Sequence, residues 1–572
     1  MQKPEVEELR IINAGKRGRA LSRWRGWVNY FAMISTGVAR RIAVLWMALV
    51  ASPLFASAYN ARPKLIVVII IDQFRGDYLE RGRERFGENG FRLLMDRGAY
   101  FVNCHYDYAN TRTAPGHATL FTGAYTDGHG ILSNEWWDPA KKKMVTSVED
   151  DSNRLVGIAD PKSPGASPHN LLADTLGDEL KLATQGKSHV YAVSLKDRAA
   201  ILPGGFSADA AYWIDHKTGA WITSTYYRSE LPAWVREFNS SGRADKYWKL
   251  DWKGPGGDVL RSTKRPAGGG DFYDIIGPTP FANDYELEFA RELITQEKLG
   301  DGPATDLLVI SLSANDILGH RVGPDSIETQ AMVVALDHEL AEFFGFLGRQ
   351  IGLANIWIAL SADHGVSPRP DYAKSLRIPA ANLDNNALRT QLNDALAAKF
   401  GRADYVEAVD WPIVFLSADA FAHTKLHEGD AERAAGEALK ETGLRSYFTR
   451  AQLANFEAPP DSWGGKYLHS YSPYGGWYLL GVPAPYFVGS KTGTDHASPY
   501  NYDTHVPLLF FGLAFQPGIY RGHVEPVDMV VTLASLLGIN APSHATGRVL
   551  TEALAVRSAS PSSISSTETV TK

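Results

Sequence analysis

Four apolar runs, each leading into charged residues, constrain this chain more than any other feature. Leu65–Ile71 reads Leu-Ile-Val-Val-Ile-Ile-Ile between Pro63 and Asp72. Such a continuous, largely β-branched run suits a strand buried on both faces, as in a parallel sheet. The design recurs. Val190–Leu195 leads to Lys196-Asp197-Arg198, Leu307–Ser311 to Asp316 and His320, and Ile356–Leu360 to Ser361-Ala362-Asp363-His364-Gly365. Open α/β sheets place their sites outside the carboxyl ends of the strands. The sequence therefore predicts an α/β fold with a mostly parallel central sheet flanked by helices.

Helical spacing of apolar residues predicts helices over Pro168–Thr184, Ser326–Leu347 and Val527–Leu537. Asp325 and Glu328 are placed to open the second as a capping box, and Gly538 to stop the third. Residues 139–168, 206–280 and 370–490 are richer in Gly, Pro and aromatics and lack clean periodicity. They read as insertions that build a lid within one domain of residues 59–552. The aromatic run from Trp213 to Trp252 reads as core or lid packing.

Both ends of the chain are set apart. Arg40-Arg41, the apolar run Ile42–Phe55 and Ala56-Ser57-Ala58 form an export signal, with cleavage expected after Ala58 and Met33 an alternative start. The apolar run is shorter than the roughly 20 residues of a membrane span, so no stable span is expected after removal of residues 1–58. This implies a periplasmic or secreted protein. From Ser558 onward nine of fifteen residues are Ser or Thr, which predicts a disordered tail within 553–572. Residues 1–58 carry nine Lys and Arg against three Glu, so the remainder is more acidic than the net −6 of the whole. That balance argues against a nucleic-acid partner. A single cysteine, Cys104, excludes both an internal disulfide and a thiolate zinc cluster.

Carboxylates and imidazoles are the ligands zinc accepts when thiolates are absent. Asp316 and His320 share one side of a helical turn, Asp363 and His364 are adjacent, Asp72 ends a strand, and His496 is a late imidazole. Singly, each fits an ordinary structural role; together they point to a two-metal site, which suits phosphoryl transfer. The stretch Asn110–Gly123 adds a loop turning into a helix. Pro115 suits a first helical turn, and Thr113 lies beside free N–H groups, either as a simple N-cap or at an anion site.

Ile71-Asp72-Gln73, Thr113-Ala-Pro-Gly-His-Ala-Thr119, Asn134 in Ser-Asn-Glu-Trp-Trp-Asp, Lys196-Asp197-Arg198, Asp316 with His320, Ser361-Ala-Asp-His-Gly365 and Asp495-His496 together resemble the alkaline phosphatase superfamily. They are most similar to its periplasmic, threonine-nucleophile phosphatases, allied to the nucleotide pyrophosphatases/phosphodiesterases. The resemblance spans about residues 63–545. It implies two zinc ions per chain, one held by Asp316, His320 and His496, the other by Asp72, Asp363 and His364, with Thr113 bridging to the second. His505, in Tyr-Asp-Thr-His-Val-Pro, is an alternative to His496. It further implies small phosphate monoesters as substrates, a covalent phosphothreonine at Thr113, and Asn134, Lys196 and Arg198 as donors to the phosphoryl oxygens. The Lys/Arg pair favours a monoesterase over a phosphodiesterase or nucleotide pyrophosphatase. A sulfatase is disfavoured, because His-Tyr-Asp-Tyr after Cys104 does not fit the Cys/Ser-x-Pro-x-Arg motif. A binding protein that kept the fold and lost catalysis is the reading from another class.

Overall fold

The computed structural model describes residues 62–555 except 159–162, 268, 441, 443, 460 and 461. The expected signal, residues 1–58, and all but the first residues of the expected tail lie outside the described residues.

Ten strands form the central sheet: β1 (Leu65–Ile71), β2 (Ala99–His105), β3 (Leu155–Val156), β4 (Val190–Ser194), β5 (Ala210–Ile214), β6 (Trp221–Ser224), β7 (Asp306–Leu312), β8 (Ile356–Ser361), β9 (His505–Phe511) and β10 (Gly518–Tyr520). Their order is β10-β2-β9-β8-β1-β7-β4-β5-β6-β3. Only β9 and β6 run against the others, so the mostly parallel α/β sheet is as the sequence predicts. All seven side chains of β1 are buried, because helices cover both faces of a sheet built by crossovers. In register, Ile71 lies beside Leu312 and Ile70 beside Ser361. The chain thus leaves β8, β1, β7 and β4, four neighbours in the sheet, along one carboxyl edge.

The flanking helices include α1 (Thr113–Thr122), α2 (Leu176–Ala183), α3 (Asp197–Gly204), α4 (Pro280–Gln296), α5 (Ala314–Val322), α6 (Ile327–Gln350) and α7 (Asp528–Leu537). Helix α2 starts eight residues later than expected, where Thr175 and Asp178 form a capping box. Residues 168–175 instead form turns. Helix α6 is capped by Ser326, whose hydroxyl accepts from Thr329 N–H at 3.0 Å. The expected Asp325–Glu328 box does not form; Asp325 sits one residue too early and faces Arg81 at 3.5 Å. Gly538, in the left-handed region at φ +63°, ends α7.

The insertions are more ordered than their composition suggests. Residues 206–280 supply β5 and β6, and Trp221 stacks on Phe289 with ring centroids 4.0 Å apart. Within 370–490, strands Val406–Asp410, Ile413–Leu416, Ser446–Thr449 and Trp477–Val482 form an antiparallel sheet. Helices Asn385–Phe400 and Glu428–Lys440 close a separate small core around Leu392, Val414, Ala435 and Leu439.

Candidate active site

Thr113 is the first residue of α1, and no residue of that helix is exposed. Arg112 holds the N-cap position in extended conformation without a side-chain cap bond. The free Ala114 N–H is met from elsewhere: it donates to Asn134 Oδ1 at 2.8 Å. With its oxygen so engaged, Asn134 presents its amide N–H groups. Gly116 lets the helix pack against the Asp363 loop, since a Cβ there would lie 2.3 Å from the Asp363 carbonyl oxygen. His117 is a packed residue, with Nδ1 bonded to the Thr113 carbonyl (2.8 Å) and Nε2 to Ser311 Oγ (2.6 Å).

Two groups of three side chains converge at the strand ends, Asp72 with Asp363 and His364, and Asp316 with His320 and His496. Within each group one ligand atom per residue lies within 4.8 Å of the others. In the first group, Asp72 Oδ1, Asp363 Oδ2 and His364 Nε2 are buried and lack any hydrogen-bond partner. Three uncompensated, converging acceptors are what a dication satisfies, and carboxylate oxygen with imidazole nitrogen is a donor set zinc accepts. Burial first, and Asp72 second, hold the Asp363 carboxyl well above its usual range in the absence of a cation.

The imidazoles are oriented from behind. Nδ1 of His364 meets the Gly365 carbonyl (2.8 Å), Nδ1 of His496 that of Thr111 (2.7 Å) and Nδ1 of His320 that of Thr494 (3.0 Å). A carbonyl only accepts, so each Nδ1 carries the proton and each Nε2 faces its group, the arrangement that fixes metal-binding histidines. Burial opposes a charge on His320, but Asp316, 3.1 Å from Nε2, outweighs it and raises the imidazole to about 9. A bound cation would displace that proton. His364 and His496, one from each group, stack with centroids 3.7 Å apart.

Two further residues bridge the groups. Lys196 Nζ lies 2.6 Å from Asp72 Oδ2 and 2.5 Å from Asp316 Oδ2. Burial would lower its pKa, but Asp316 and Asp72 raise it, so the ammonium stays charged. Gln73 was not legible as a site residue. It adopts φ +62°, donates its N–H to Asp363 Oδ1 (3.0 Å) and its side-chain amide to Asp316 Oδ1 (2.6 Å). Asn315 then donates to the Asp72 and Gln73 carbonyls. Arg198, two residues beyond Lys196, keeps a buried Nε without a partner. His505 is apart from both groups, stacked on His105 and bonded through Nε2 to the Val102 carbonyl.

Residues 66–438 match the family described as type I phosphodiesterase/nucleotide pyrophosphatase. The chain belongs to that family. A protein of Myroides odoratus named calcium-transporting ATPase is 35% identical to this family member, over 87% of this chain and 96% of the relative. Alkaline phosphatase PhoV of Synechococcus elongatus is 34% identical, over 86% and 93%. Alkaline phosphatase PafA of Elizabethkingia meningoseptica is 32% identical, over 89% and 98%. The crystal structure of wild-type PafA superposes with a TM-score of 0.78 at 31% identity, covering 86% of this chain and 99% of that one. A crystallised PafA variant carries substitutions at a Thr and, 21, 83 and 85 residues after it, at an Asn, a Lys and an Arg. Thr113, Asn134, Lys196 and Arg198 have the same spacing.

Proposed function

We propose that this chain is an alkaline phosphatase that hydrolyses phosphate monoesters through a phosphothreonine at Thr113, with two zinc ions held by the two ligand groups. The observation that carries this reading is the trio of unpartnered, buried atoms on Asp72, Asp363 and His364 at the edge where α1 begins. Bound zinc would supply Lewis acidity, favouring the ionised hydroxyl of Thr113 and offsetting charge on the departing oxygen. The Thr113 oxygen attacks phosphorus in line, the P–O bond to the alcohol breaks, and the alcohol leaves. Water then attacks the phosphothreonine from the vacated side and releases phosphate and the free hydroxyl.

The chain's own donors match a monoester dianion. Asn134 directs amide N–H groups, Lys196 an ammonium and Arg198 a guanidinium with a free Nε toward phosphoryl oxygens. Lys196 also screens the Asp72 and Asp316 carboxylates from one another. A phosphodiesterase is the second reading, favoured by the family match itself. The ATPase name of one relative is compatible with the same centre, since removing a terminal phosphate from an anhydride uses the same nucleophile and donors. Among the described residues no helix is long and apolar enough to cross a membrane. Export by residues 1–58, a catalytic unit of residues 59–552 and the zinc assignment are part of this proposal. Steady-state kinetics on paired aryl phosphate mono- and diesters, with and without zinc, test it: the monoester should be the better substrate, and zinc should be required.

A further inference from the structure

A largely buried ion pair reaches from the small antiparallel sheet to the residue before Thr113. Arg112 donates to the Trp411 carbonyl, and its guanidinium lies 3.1 Å from Asp410 Oδ1. The other oxygen, Asp410 Oδ2, accepts from Ser133 Oγ at 2.8 Å. Ser133 directly precedes Asn134, and Asn134 caps Ala114 N–H. One carboxylate therefore holds the residues immediately before Thr113 and before Asn134. Asp410 ends the strand Val406–Asp410, paired with Ile413, so it projects from a sheet with its own core. Arg112 is 6% exposed and Ser133 fully buried, and the Asp410 side chain is 16% exposed, so the tie is mostly shielded from water and directional. Thr111, one residue further back, is tied separately, through its carbonyl, to His496 and Ala497.

We propose that Asp410 is a positioning residue: through Arg112 and Ser133 it sets the Thr113 hydroxyl and the Asn134 amide in register for phosphoryl transfer. The inference gives the insertion a role in turnover, and it rests on the reading of Thr113 and Asn134 above. Displacing a reacting group by about 1 Å costs on the order of a hundredfold in rate.

The test is monoester kinetics on zinc-loaded Asp410→Ala, Asp410→Asn and Ser133→Ala, each alone and combined with Asn134→Ala, with melting temperatures measured alongside. Asp410→Ala should lower kcat about a hundredfold. Asp410→Asn, which keeps one acceptor for two donors, and Ser133→Ala should each lose roughly tenfold. In the Asn134→Ala background the Asp410 losses should shrink severalfold, because residues acting as a unit are not additive. Equal losses in both backgrounds, or losses that track melting temperature, would overturn the inference. If Asp410→Ala fails to fold, Asp410→Asn and Ser133→Ala decide by the same criterion. Wild-type turnover in all Asp410 and Ser133 variants, with Thr113→Ala and Asn134→Ala impaired, sinks this inference alone. Wild-type turnover in Thr113→Ala and Asn134→Ala sinks the reading beneath it.

Discussion

The two ligand groups are built differently. Asp72, Asp363 and His364 leave the ends of neighbouring strands β1 and β8, are fully buried, and keep three atoms without partners. Asp316, His320 and His496 come from a helix and a loop, the His320 side chain is 36% exposed, and both Asp316 oxygens already meet donors from Gln73 and Lys196. The first group, fixed by the sheet, keeps one unpartnered atom on each residue; in the second both Asp316 oxygens are engaged by protein and only His320 reaches water. The buried group should therefore depend more strongly on its ion for both activity and stability.

The largest expected effect follows directly. Asp363→Ala or exhaustive chelation should remove activity by several orders of magnitude, while His320→Ala, at the one half-exposed residue of the second group, should retain metal at the Asp72–Asp363–His364 group in elemental analysis. Loss of both ions from His320→Ala would erase the distinction between the groups.

Next in size is the cationic pair. Removing a charge-assisted donor from a water-excluded site costs on the order of 2–4 kcal/mol, roughly a hundredfold or more in rate. Lys196→Ala with Arg198→Ala should depress monoester kcat/KM by that order or more and diester turnover much less. Asn134→Ala should lower both. Equal losses on the two substrates for the double variant would favour the diesterase reading.

A smaller effect is expected at Gln73, which ties Asp363 to Asp316. Outer partners of metal ligands typically contribute 10–100-fold to metal affinity or activity, so Gln73→Ala should fall near that range in a zinc titration. Unchanged affinity would show that the bridge is incidental.

The smallest effect is on stability against pH. In the metal-free chain Asp363 is held above its unfolded value of about 4, so its protonated form stabilises the fold. That contribution is complete below the unfolded value and is lost as pH rises through the folded one. The gap in melting temperature between zinc-loaded and metal-free protein should widen as pH rises from about 4; a constant gap would contradict the account of the unpartnered carboxylates.

What the sequence revealed follows the same division. Apolar runs announced β1, β7 and β8 within a residue of their ends, and with them Asp72, Asp316 and Asp363, because burial on both faces leaves no other use for such runs. His505 stayed open as an alternative to His496, since one opens β9 and the other lies in an irregular segment and neither position shows where the ring turns; the Thr111 carbonyl and the His105 stack tell them apart. Gln73 stood in the sequence only as part of the Ile71-Asp72-Gln73 motif, without a role of its own, because its bridging depends on a backbone at φ +62° that aims both its N–H and its side-chain amide. The sheet that carries Asp410 was read as lid because its strands are four to six residues long and its core draws on distant segments. Local pattern shows the strands; it does not show which loops a carboxylate will join.

The central claim, that Thr113 is the group transiently phosphorylated, has one direct test. Zinc-loaded protein mixed with an aryl phosphate monoester, quenched in acid and digested, should yield a phosphorylated peptide containing Thr113 by mass spectrometry, and Thr113→Ala should yield none and lose turnover. Phosphate found on another residue, or full turnover by Thr113→Ala, would contradict the account.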